Sequence, residues 1–153
     1  MIFWIENGYL MGCNSPPGSD TNVNDMGIAF GHAYSILDAF EVEGNKLIQV
    51  RNPWGNVTEW KGAWSDKSTD WTERRKQIIY ERMSERGAEE ITIGADDGTF
   101  WISYVDWFSH FSRLDLCKYF DQDYTELNYK AAWSIANKTA GGCINYDSYP
   151  DNH

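Results

Sequence analysis

Residues 32–42 and 46–51 are two runs of strand-forming character separated by Glu43-Gly44-Asn45, a turn signal. This arrangement predicts an antiparallel hairpin, and any fold of the chain must be built around it. Pro53 ends the second run, because proline has no amide hydrogen to give to a sheet ladder. Shorter elements are expected around the hairpin. Residues 10–13 read as a strand, 14–25 as a surface loop and 60–70 as a polar, aromatic loop. Residues 72–86 place Ile78, Ile79 and Met83 at helical spacing before Gly87, which predicts an amphipathic helix. A turn over 94–98, a strand over 100–103, a short helix over 104–111 and a last strand over 113–120 complete the reading.

The 153 residues suffice for one domain with a hydrophobic core. A net charge of −10 argues against phosphate-backbone binding, which needs clustered Lys and Arg. It is compatible with a cation such as calcium, although solubility accounts for most surface acids. No apolar run approaches the roughly 20 residues needed to span a bilayer. Residues 1–5 are apolar but lack a basic leader, so no signal peptide is expected. The three cysteines, Cys13, Cys117 and Cys143, are too few and too widely spaced for a disulfide framework or a zinc site. Buried, inert thiols and a reducing compartment are expected. Eight tryptophans read mainly as core, with a sugar- or peptide-binding groove as the alternative. Residues 121–128 read as a linker, and 129–153 as the start of another unit.

Two short segments carry candidate chemistry. Gly31-His32-Ala33-Tyr34 places a histidine at the start of a strand, and Arg51-Asn52-Pro53-Trp54-Gly55 ends the next strand on an amide and an aromatic. A lone histidine here is more often structural. A pair has a use: an imidazolium stabilises a thiolate, and an asparagine carbonyl holds the imidazole without adding charge, as in the Cys-His-Asn triad. Alternation permits His32 and Asn52 on one face. A two-residue turn at Gly44-Asn45 would oppose Asn52 to Leu37, however. A direct His32–Asn52 contact therefore requires either a wide loop or a β-bulge.

Five segments together resemble the calpain family of cysteine proteases, in the family's order. They are Leu10-Met11-Gly12-Cys13, Gly31-His32-Ala33-Tyr34-Ser35, Arg51-Asn52-Pro53-Trp54-Gly55, Trp60-Lys61-Gly62-Ala63-Trp64-Ser65-Asp66 and Asp97-Gly98-Thr99-Phe100-Trp101-Ile102-Ser103. Papain-like enzymes usually have Asn-Ser-Trp-Gly where this chain has Asn52-Pro53-Trp54-Gly55. The resemblance implies an α+β, β-rich fold: a twisted antiparallel sheet or half-barrel with a few marginal helices, spanning residues 1–120. Residues 121–153 would then be a linker and the truncated start of the β-sandwich that follows in calpains.

By the same resemblance, His32 and Asn52 match the catalytic histidine and asparagine, and Trp54 the tryptophan that shields them. The nucleophilic cysteine belongs to a separate papain-like subdomain upstream, so none of the chain's own thiols takes that role. The parent would be a cytoplasmic, calcium-dependent endopeptidase acting on protein or peptide substrates, with this chain inactive alone. Calcium would be held by Glu59, Asp66, the Ala95 carbonyl and Asp97, oxygen donors suited to a hard cation. The family often has an acid where Thr99 stands, and one residue is inserted near Thr58. Two rivals remain: a catalytically dead calpain-like binding module, and a carbohydrate-binding domain with a row of exposed tryptophans.

Overall fold

The computed structural model describes residues 1–55, 58–87 and 93–118, with 125, 127–132 and 134. The chain divides into two compact units, Met1–Tyr119 and Phe120–His153. The second falls mostly outside the described residues, and so do Trp133, Cys143 and the expected start of a β-sandwich. Its described residues form no helix or strand.

The first unit is α+β and β-rich. Its hairpin is β2 (Ala33–Val42) and β3 (Asn45–Arg51). Val42 pairs with Asn45, so the turn is Glu43-Gly44 rather than Gly44-Asn45. Both turn residues have positive φ, 49° and 81°, the mirror-image geometry that matches strand twist. With β1 (Tyr9–Asn14), β4 (Thr99–Ser103) and β5 (Arg113–Lys118), the hairpin forms an open antiparallel sheet of 5 strands in the order β4-β3-β2-β1-β5.

The ladder between β2 and β3 shifts register between Ile36 and Asp38, leaving Leu37 as the extra residue of a β-bulge. The bulge reverses which face β2 presents. Before it, Tyr34 and Ile36 join a core that contains Met11, Cys13, Ile48, Val50, Phe100 and Ile102. After it, Phe40 and Val42 join a second core with Leu47, Trp64, Trp71 and Trp101 on the opposite face. One extra residue thus lets a single strand serve both cores.

Each core has its own cover. Helix α2 (Glu73–Glu85) is capped by Thr72, whose side chain accepts from the Arg75 amide, and buries Ile79 and Met83 in the second core. Arg86 follows it, pairs with Asp38 and Glu6, and lies over the Phe40 ring. Burial pushes the Asp38 carboxyl up, against the opposing pull of the Ala39 amide and Arg86. The first core is closed by α3 (Tyr104–His110) through Trp107, and by α1 (Ile2–Glu6), which packs Trp4 and Ile5 on it. Helix α1 was not foreseen in residues 1–5.

Trp60, Trp64, Trp71, Trp101 and Trp107 are all buried, so the described residues present no row of exposed tryptophans. The exposed row on which the carbohydrate-binding alternative depends is therefore not met by these residues. Cys117 also departs from expectation: it is exposed on β5, whereas Cys13 is buried as expected.

Candidate active site

The end of β1, the start of β2, the end of β3 and the starts of β4 and β5 all meet at one end of the sheet. His32 continues the β1–β2 ladder by one step. The Ser15 amide donates to the His32 carbonyl (3.0 Å), and the His32 amide donates to Ser15 Oγ (3.0 Å). Gly31 turns the chain into this position with φ +54°, and a Cβ there would stand 2.2 Å from the Gly18 carbonyl oxygen, so only glycine fits. Asn52 continues the β3–β4 ladder in the same way, its amide donating to the Gly98 carbonyl at 2.8 Å.

The bulge at Leu37 moves Asn52 from opposite Ser35 to opposite Tyr34 if the register is extended past Arg51. Two residues of offset remain, and the side chains close it. His32 Nε2 and Asn52 Oδ1 lie 2.9 Å apart in a buried contact. The bulge was one of the two routes that the sequence left open; the wide loop is not used.

Fixed backbone groups determine how the Asn52 amide is turned. The Trp54 amide can only donate, and it meets Oδ1 at 3.0 Å. The Thr58 carbonyl can only accept, and it meets Nδ2 at 3.1 Å, with Thr58 Oγ1 at 3.3 Å. His32 Nε2 therefore faces an acceptor and carries the hydrogen, leaving Nδ1 with a free lone pair. Asn52 is fully buried, and the Trp54 ring lies 3.9 Å from the imidazole, tilted 36°, with 40% of the residue exposed. On another side, the Tyr34 ring stands edge-on to His32 at 4.8 Å, its hydroxyl accepting from the Ala29 amide.

The predicted acid loops also converge. Glu59 Oε1 accepts from the Gly98 amide at 2.6 Å, and the Ala95 carbonyl accepts from the Asp97 amide at 3.0 Å. A Cβ on Gly98 would stand 2.5 Å from the Gly55 carbonyl oxygen, so glycine is what allows this loop to press against the Asn52 turn. Asp66 Oδ2 is buried without a hydrogen-bond partner. Burial, then the Glu59 and Asp97 carboxylates, push the Asp66 carboxyl up to about 7. Glu59, Asp66 and Asp96 line one open cavity of about 330 Å³ with Lys61 and Lys67. Among the described residues no three His, Cys, Asp or Glu side chains stand close enough to enclose a metal as they are. The donor set nevertheless fits calcium chemically: it is all oxygen, and one of its atoms, Asp66 Oδ2, is buried with its bonding capacity unmet.

Sequence reasoning gave no role at the site to Ser15 or to Thr58, which it noted only in a glycosylation sequon and beside an inserted residue. Each acts through a contact that depends on how its loop folds back, 17 residues from His32 for Ser15 and 6 from Asn52 for Thr58.

The thiols of the described residues stand in other places. Cys13 sits in the first core opposite Tyr34, and burial pushes it up to about 12. Cys117 pairs with Leu10, four rungs along β1 from Asn14 and the site end.

A family model described as "Calpain family cysteine protease" matches residues 1–118. The chain is 39% identical over 152 residues to the "Calpain-type cysteine protease DEK1" of Zea mays, covering 99% of this chain and 6% of that protein. It is 33% identical over 184 residues to "Calpain clp-4" of Caenorhabditis elegans, covering 99% of this chain and 24% of that one. It is 34% identical over 157 residues to the human "Calpain-2 catalytic subunit", covering 93% of this chain and 21% of the relative. The chain thus spans a quarter or less of the length of these curated relatives. With the family model covering the whole sheet that carries His32 and Asn52, the chain belongs to the calpain family of cysteine proteases.

Proposed function

We propose that this chain supplies the histidine and asparagine of a calpain-type endopeptidase whose nucleophilic cysteine lies on another segment of the same protein. The observation that carries this reading is the buried 2.9 Å contact between His32 Nε2 and Asn52 Oδ1, with the Asn52 amide turned by the Trp54 amide and by Thr58. The free Nδ1 takes the proton of an incoming thiol, and the resulting imidazolium stabilises the thiolate. The thiolate attacks the scissile carbonyl to form an acyl-thioester, and His32 returns the proton to the leaving amine. Water then attacks the thioester with His32 as base. Trp54 keeps solvent from the His–Asn contact.

Calcium belongs to the same proposal. Glu59, Asp66, Asp97 and the Ala95 carbonyl would hold it, and its charge would offset the carboxylates that now repel one another. The proposed setting is cytoplasmic, with protein or peptide substrates. No helix among the described residues is long and apolar enough to cross a membrane.

The test is reconstitution. The 153-residue chain alone should cleave no peptide. Fused behind a papain-like subdomain that bears the cysteine, it should become active and be stopped by alkylation. His32→Ala should then remove about a thousandfold or more of kcat. An unchanged rate in that variant would defeat the reading, as would cleavage by the isolated chain that Cys13→Ser abolishes. A dead binding module predicts no activity when fused to a subdomain proved competent with another partner.

A further inference from the structure

The Asn52 amide is held on both sides, and the two sides differ in origin. Oδ1 meets His32 Nε2 and the amide of Trp54, two residues along the same turn. Nδ2 meets two acceptors of one residue, the carbonyl and hydroxyl of Thr58, at 3.1 and 3.3 Å. Thr58 is joined to Glu59, whose carboxylate accepts from the Gly98 amide, and Gly98 in turn accepts from the Asn52 amide. Asn52 is therefore gripped by its side chain and by its main chain through the two ends of one dipeptide.

We infer that Thr58 is a positioning residue, whose carbonyl and hydroxyl together lock the Asn52 amide so that His32 keeps its hydrogen on Nε2. The inference rests on the proposed His32–Asn52 pair. Any residue at this position has a carbonyl, so the side chain's own contribution is the hydroxyl. Asn52 is fully buried, and water does not readily replace a lost acceptor there. With one acceptor gone, the amide rocks about its long axis. Oδ1 then leaves the imidazole part of the time, and the Nδ1–H tautomer becomes accessible. That tautomer has no lone pair on the nitrogen that must accept the thiol proton.

Nitrogen-15 NMR of the His32 ring in the 153-residue chain tests this without any catalysis. The wild-type chain should show Nε2 in its protonated, pyrrole-like position and slow exchange of the Asn52 side-chain amide. Thr58→Val should move both ring signals toward the tautomer average and speed that exchange about three- to tenfold, the worth of one neutral hydrogen bond. Thr58→Ser should restore the wild-type pattern. In the fused, active core, Thr58→Val should lower kcat by a similar factor and leave KM unchanged. If Thr58→Val fails to fold, Thr58→Ala carries the same test. Ring signals and amide exchange identical to wild type in the variant overturn the inference, and so does a serine that behaves like valine. A fused core that is inactive whatever stands at position 58 counts against the protease reading instead, while the ring signals still decide the role of Thr58.

Discussion

Cys13 and Cys117 lie on adjacent strands, yet their surroundings give them different chemistry. Burial holds Cys13 as a neutral thiol with its pKa raised to about 12, whereas Cys117 is open to solvent. A brief iodoacetamide treatment of the folded chain at pH 8 should label Cys117 and spare Cys13, and peptide mass spectrometry reads the outcome. Labelling of Cys13 at a comparable rate would mean that the first core opens readily. Asp66 gives a second residue-level prediction. Its pKa is raised from 3.8 to about 7 on folding, so the folded chain binds the proton more tightly. Stability present below the lower value is lost as pH rises through the upper one. In chelator, Asp66→Asn should flatten that fall and raise the melting temperature at pH 8 by about 3 °C. Millimolar calcium should raise the wild-type value, and calorimetry should find no calcium heat in the variant. A variant that melts lower at pH 8, or a wild type indifferent to calcium, would contradict the acid-loop reading. His32 and Asn52 were legible because they sit in short motifs at strand ends. Thr58 was not, since its contact depends on how a loop folds back.

Among the elements, β2 shows what alternation conceals. Tyr34, Ile36, Phe40 and Val42 all share one parity, so the sequence looks like a plain two-residue repeat. They nevertheless face two different cores, because Leu37 is inserted between them. Both faces of the sheet are covered, so apolar residues suit either side and nothing in the pattern marks the shift. Deleting Leu37 should therefore leave one half of β2 facing the wrong core and abolish cooperative unfolding. Leu37→Ala, at an exposed site, should cost about 0.5 kcal/mol or less. Similar loss in both variants would show that the side chain matters rather than the extra residue. Helix α2 was readable from the spacing of Ile79 and Met83, and Ile79→Ala should cost about 2–4 kcal/mol by chemical denaturation. Helix α1 has only five residues, too few to show a period, and it is held by packing of Trp4 and Ile5 rather than by propensity.

At the scale of the whole molecule, every strand and helix of the described residues lies within 1–118, the span the family model covers. A chain ending after Tyr119 should keep one cooperative thermal transition within about 3 °C of the full chain, followed by circular dichroism. A drop well beyond that would mean that the second unit contributes to the first. The antiparallel, β-rich character of the fold was open to inspection from the hairpin and its neighbours. The order of strands was not, because β5 reaches β1 across about a hundred residues and no local signal encodes that pairing.

The inserted Leu37 sets two things at once: it hands β2 from one core to the other, and it draws Asn52 one step nearer His32. An engineer who straightened β2 for regularity would misplace the asparagine. Laboratory selection for a tidier, more robust version of this sheet should consequently accept changes at the exposed positions of β2 but retain the irregular count, since both cores and the His32–Asn52 contact depend on it.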